Sequence, residues 1–139
     1  MSPKHLLVPT DFSDDADRAV AYAADLALTL QASLTLMTAV YAGDTPEVHL
    51  AYIEKIRAED KRKLEDVRQR VEKAGVAVKA LMAYGAPAQQ IVETARREGA
   101  DLIVMGTHGR TGLSHLLIGS VAERVVRLAP CPVLVVPRG

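Results

Sequence analysis

The chain has 139 residues, enough for one domain with a full hydrophobic core, and 17 basic side chains balance 17 acidic ones. That balance, without any polybasic block, gives no electrostatic support for nonspecific binding to nucleic acid or to a membrane surface. Cys131 is alone, which excludes a disulfide framework and a cysteine metal site, and the lack of tryptophan speaks against a base-stacking platform.

No segment approaches the roughly 20 apolar residues of a membrane span, and the first residues carry no long apolar stretch. The expected location is therefore a reducing cytoplasm.

Strand and helix signals alternate from end to end. His5 to Pro9 is a short apolar run, the first expected strand. Thr10-Asp11-Phe12-Ser13 is a polar turn, with Ser13 placed to cap a helix. Ala16, Ala19, Val20, Ala23, Ala27 and Leu30 then recur at helical spacing. A face made mostly of alanine lets that helix lie close to a sheet. Leu34 to Val40 reads as the second strand, and Tyr41 to Pro46 as a loop.

A long helix is expected somewhere between Glu47 and Ala74, ended by Gly75. Its stripe is Ile53, Ile56, Leu64, Val67 and Val71, interrupted at Asp60. Glu59–Lys63 and Asp66–Arg70 are the ion pairs expected on its wet side. Val76 to Ala83 reads as a third strand, at a sheet edge because Lys79 breaks the apolar alternation. Pro87 opens a helix that Gly99 closes. Asp101 to Met105 is the fourth strand, Ser120 to about Leu128 a further helix, and Val133 to Val136 the fifth strand. Strands alternating with helices in this way predict an α/β fold with a parallel sheet covered on both faces. Ligands of such sheets sit beyond the carboxyl ends of the strands, where the strand order reverses.

One of those ends carries the strongest chemical signal. From Val104 to Val121 the chain reads VMGTHGRTGLSHLLIGSV. Glycine admits close approach of a ligand to its backbone, and a helix start offers unpaired N–H groups with a partial positive charge. Together they suit a phosphate. No Gly-Lys pair exists anywhere, so this is not a Walker A loop, and the glycines follow a late strand rather than the first, unlike a dinucleotide fingerprint. No Asp or Glu lies between Met105 and Ala122. Fast phosphoryl transfer needs a held metal and a positioned nucleophile, which this segment does not supply. Binding without turnover is the expectation.

Four segments in order resemble the universal stress protein family, in its ATP-binding subgroup. They are LLVPTDFS (Leu6 to Ser13), LTLMTAV (Leu34 to Val40), the G-x-x-G-x9-G-S spacing of Gly106, Gly109, Gly119 and Ser120, and PCPVLVV (Pro130 to Val136). The resemblance covers essentially the whole chain, residues 1–139, as a single domain. It implies a Rossmann-like, doubly wound sheet of five parallel strands in the order 3-2-1-4-5. It implies that Asp11 meets the ribose hydroxyls, with Pro9 and Thr10 shaping that turn, and that the Ala39 backbone contacts adenine. Met105 and Gly106 would lie beside the nucleoside. Gly109, Arg110, Gly119, Ser120 and Val121 would cradle phosphates; for His108, within the motif, a backbone contact is expected rather than imidazole chemistry. ATP, alone or with Mg2+ or Mn2+, is the implied cofactor. A homodimer through Val133 to Val136 and an unidentified protein partner are the implied associations.

Plainer readings stand beside these. Asp11 suits an Asx-turn as well as a ribose. Arg110 suits a β- or γ-phosphate or open water. Ser114 and His115 suit a surface loop. His5 and His49 look structural, and Cys131 a packed thiol. A slow ATPase of the same fold is the alternative function, and a scaffold that binds no nucleotide is a third.

Overall fold

A computed structural model describes residues 2–41, 50–108 and 118–138. The chain runs β1 (His5–Pro9), α1 (Asp14–Leu30), β2 (Ser33–Val40), α2 (Leu50–Lys73), β3 (Val78–Tyr84), α3 (Pro87–Glu98), β4 (Leu102–Gly106), α4 (Ser120–Leu128) and β5 (Val133–Val136). The strands form one parallel sheet in the order β3-β2-β1-β4-β5. The expected architecture is therefore present.

Alternation along the central strands sends successive side chains to opposite faces. Leu6, Val8, Leu34, Leu36, Leu102 and Val104 face α1 and α2. Leu7, Met37, Ile103 and Met105 face α3 and α4. Burial on both faces explains why these strands read as nearly continuous apolar runs.

The local signals act as expected at most boundaries. Ser13 Oγ accepts from the Ala16 amide at 3.2 Å, and Asp14, Asp15 and Asp17 place negative charge in the first turn of α1. Gly99 ends α3 with a φ of 66°, in the left-handed region that a side chain would resist. Gly75 follows α2 with a φ of 98°. At the amino edge of the sheet, His5 Nδ1 lies 2.6 Å from Ser33 Oγ and His5 Nε2 lies 2.8 Å from Thr35 Oγ1. Both ring nitrogens are occupied in tying β1 to β2, so His5 is structural.

Other boundaries differ by one or two residues. β2 begins at Ser33, β4 runs from Leu102 to Gly106, and β3 begins at Val78. Val76 is buried but belongs to the connection. α2 begins at Leu50 among the described residues, and the expected start near Glu47 lies outside them, as does His49. Only Leu64, Val67 and Val71 of its stripe are fully buried, with Asp60. Its 24 residues span about 36 Å, against about 26 Å for the eight of β2, so the turn carrying Ile53 and Ile56 overhangs the sheet. The ion pairs also differ from expectation. Arg68 bonds Glu65 and Glu72, Arg70 reaches Asp17 at 4.0 Å, and Lys63 lies over the Phe12 ring, 5.7 Å from its centre.

The two sheet edges are unlike. β3 carries Lys79, paired with Glu98, while β5 presents four half-buried aliphatic residues.

Candidate functional site

β1 and β4 are neighbours, but α1 follows β1 onto one face and α4 follows β4 onto the other. The carboxyl ends of this pair therefore form the switch point of the sheet. Pro9, Thr10 and Asp11 stand at the end of β1, Met105 and Gly106 at the end of β4, and Gly119, Ser120 and Val121 at the start of α4. Ala39 lies on β2, which continues through Thr38, Ala39 and Val40 beyond its last β1 partner, Met37. The fold gathers these residues at one edge. Gly109, Arg110, Ser114 and His115 lie outside the described residues.

The turn after β1 is tightly specified. The Thr10 amide donates to the Met37 carbonyl at 2.8 Å, which fastens the turn to β2. Thr10 Oγ1 accepts from the Phe12 amide and Asp11 Oδ1 from the Ser13 amide, each at 3.0 Å. Asp11 therefore forms the Asx-turn of its plainer reading. Phe12 has a φ of 67°, an uncommon conformation for an aromatic residue.

On the β4 side two described glycines are tightly packed. A Cβ on Gly106 would stand 2.9 Å from the Asp15 carbonyl oxygen, where α1 begins. A Cβ on Gly119 would stand 3.0 Å from the Thr107 carbonyl oxygen. That same oxygen accepts from the Gly119 amide at 2.6 Å, so the residues entering and leaving the glycine segment are joined at a neck. α1 is capped by Ser13, but α4 starts at Gly119 with no side-chain cap among the described residues. Its first amides have no acceptor inside the helix.

A polar chain that the local sequence pattern did not reveal lies beneath the neck. Asp15 is buried at the start of α1, and its carboxylate accepts from Thr107 Oγ1 at 3.4 Å and from Arg138 Nε at 3.0 Å; Arg18 bonds it as well. His108 is buried beside them, its Nδ1 3.0 Å from Thr107 Oγ1 and 3.8 Å from Asp15 Oδ2. The imidazole is thus engaged, whereas sequence reasoning gave His108 only a backbone role. One signal was available: Asp15 lies four residues before Ala19 and eight before Ala23, on the buried stripe. A carboxylate there needs a partner.

Burial pushes the Asp15 carboxyl up, but the hydrogen bonds and charge of Arg138, the charge of Arg18 and the Thr107 hydroxyl together hold it below its ordinary 3.8. The folded state thus keeps this group ionised where the unfolded chain already takes up a proton. Its contribution is complete above pH 3.8 and is lost as pH falls through the lower folded value. Asp15→Asn should cost about 1–2 kcal/mol at neutral pH. Denaturant unfolding at stepped pH should show the wild-type and Asp15→Asn curves converging below pH 3.8. A gap that stays constant into that range would show that the carboxylate is not selectively held.

The fold defines a doubly wound α/β protein in which Gly106 and Gly119 bound the crevice expected at the β1/β4 switch point. A family model described as the universal stress protein family matches residues 3–137, and the chain belongs to that family. It is 41% identical over 143 residues to universal stress protein MJ0531 of Methanocaldococcus jannaschii, covering 97% of this chain and 82% of that protein. The universal stress protein UspA from Lactobacillus plantarum superposes with a TM-score of 0.87 at 31% identity, over 96% of this chain and 97% of that one. A universal stress protein solved in complex with cAMP superposes at 0.79 with 28% identity over all of both chains. One from Archaeoglobus fulgidus in complex with dAMP superposes at 0.72 with 25% identity, over 97% of this chain and 98% of that one. Adenine nucleotides thus occur in structural neighbours.

Proposed function

We propose that this crevice holds an adenine nucleotide, ATP in the working state, and that the protein uses its occupancy as a signal with little or no turnover. The observation that carries the reading is the start of α4, without a side-chain cap among the described residues and set at the β1/β4 switch point across from Asp11. Unpaired amides with a partial positive charge suit phosphate oxygens. The complexes of two structural neighbours with cAMP and dAMP support the same ligand class.

In this reading Asp11 accepts from the ribose hydroxyls, and the Ala39 backbone contacts adenine where β2 outruns β1. Pro9 and Thr10 shape the ribose turn, and Met105 and Gly106 line the nucleoside side. The amides of Ser120 and Val121 receive phosphates, helped by His108, Gly109 and Arg110. A divalent ion, Mg2+ or Mn2+, arrives with the phosphates. Among the described residues no group of three His, Cys, Asp or Glu side chains stands close enough to hold one. Residues 1–139 act as one domain in the cytoplasm. A second copy pairs through Val133 to Val136, because an aliphatic edge strand without a charged side chain is a liability when exposed. Occupancy then alters the surface offered to a protein partner.

Calorimetric titration of nucleotide-stripped protein with ATP, with and without Mg2+, tests this. Micromolar binding, weakened by Gly109→Val, is the expected result. No heat and no thermal shift would overturn the reading in favour of a nucleotide-free scaffold.

A further inference from the structure

The Asp15 carboxylate joins two distant parts of the sequence. Arg138 Nε donates to Oδ2 at 3.0 Å and lies 3.3 Å from Oδ1, while Thr107 Oγ1 donates to Oδ2 at 3.4 Å. An ionised carboxylate only accepts, so the Thr107 hydroxyl proton points to Asp15 and its oxygen is left to accept from His108 Nδ1–H. His108 Nε2 is then a bare acceptor, buried and without a partner among the described residues. Thr107 serves both sides of the neck. Its hydroxyl reaches Asp15, and its carbonyl takes the Gly119 amide.

We infer that Arg138 is a positioning residue for the nucleotide site: through Asp15 it fixes Thr107, and through Thr107 it fixes the amino end of α4. The inference rests on the reading that this helix end receives phosphate. Arg138 follows β5 after Pro137, whose ring restricts how the tail leaves the strand. Arg18 does not replace it. Arg18 reaches Asp15 from within the same helix, so it ties nothing across the crevice. Without Arg138 the carboxylate turns toward Arg18 and water, and the Thr107 hydroxyl loses its fixed acceptor.

Arg138→Gln, Arg138→Lys and wild-type protein separate this from a general effect on stability. Without nucleotide, amide exchange followed by NMR should quicken about tenfold at Gly119 in Arg138→Gln and stay unchanged at Leu36, in the centre of the sheet. ATP binding should weaken about tenfold while adenosine binding, which involves no phosphate, stays as in wild type. Arg138→Lys should recover part of both effects, because it keeps the charge but loses the planar guanidinium. The inference is overturned if Gly119 exchange is unaltered in Arg138→Gln. It is overturned equally if Leu36 quickens in step, or if ATP and adenosine weaken alike. Wild-type protein that binds neither ligand, with the selective change at Gly119 still seen in Arg138→Gln, would remove the nucleotide reading and leave the brace in place.

Discussion

Gly106→Val should cost the fold about 3 kcal/mol and lower the melting temperature by about 10 °C. The valine Cβ would enter space occupied by the Asp15 carbonyl oxygen, carbon and Cβ at 2.9, 3.0 and 3.1 Å. Two of these atoms are backbone, so no side chain can swing aside. Relief requires the first turn of α1 to move away from β4. That movement also carries Asp15 from Thr107 and shifts the Asp11 turn, so ATP affinity should fall with stability. Gly106→Ala should lie between valine and wild type. Thermal unfolding followed by circular dichroism, with ATP titrations on the folded fraction, measures both. A valine variant as stable as wild type would mean that α1 is not pressed against the end of β4.

Asp11→Asn should weaken ATP binding roughly 10–100-fold. One carboxylate oxygen already accepts from the Ser13 amide at 3.0 Å, and asparagine can keep that bond through its own oxygen. Its NH2 group then stands where the second oxygen was, offering a donor to a hydroxyl that needs an acceptor. Asp11→Ala should lose the turn as well, and so lose stability alongside affinity. Titration with 2′-deoxy-ATP and 3′-deoxy-ATP completes the test. Wild type should discriminate against at least one of them, and Asp11→Asn should not, because the coupling between carboxylate and hydroxyl is gone. Equal discrimination in both proteins would remove Asp11 from ribose recognition.

The elements were legible because their signals are local. Ser13, Gly75, Pro87 and Gly99 each mark a boundary that depends on a few neighbouring residues. The placement of Asp11, Gly106 and Gly119 at one edge was legible because a parallel sheet puts every strand end of one kind together. The brace was not legible, because Arg138 and Asp15 lie 123 positions apart and no periodicity spans that distance. Asp15 had an adequate local explanation as negative charge at a helix start, which hid its burial. The surroundings of the His108 imidazole were hidden for a similar cause: it is engaged by Thr107 and lies near Asp15, and Asp15 belongs to another layer of the fold. The half-burial of Ile53 and Ile56 depended on how far α2 outruns the sheet, which the pattern of the helix alone does not contain.

α1 meets the sheet through Ala16, Ala19, Ala23, Ala24 and Ala27, with Val20 among them. Side chains this short leave the helix backbone itself as the bearing surface. Rolling the helix by one residue would drive Asp25 or Leu28, both exposed, toward strands that have no room for them. The plainest surface in the molecule thus acts as its gauge block, setting how far the first turn of α1, with Asp15, stands from the end of β4.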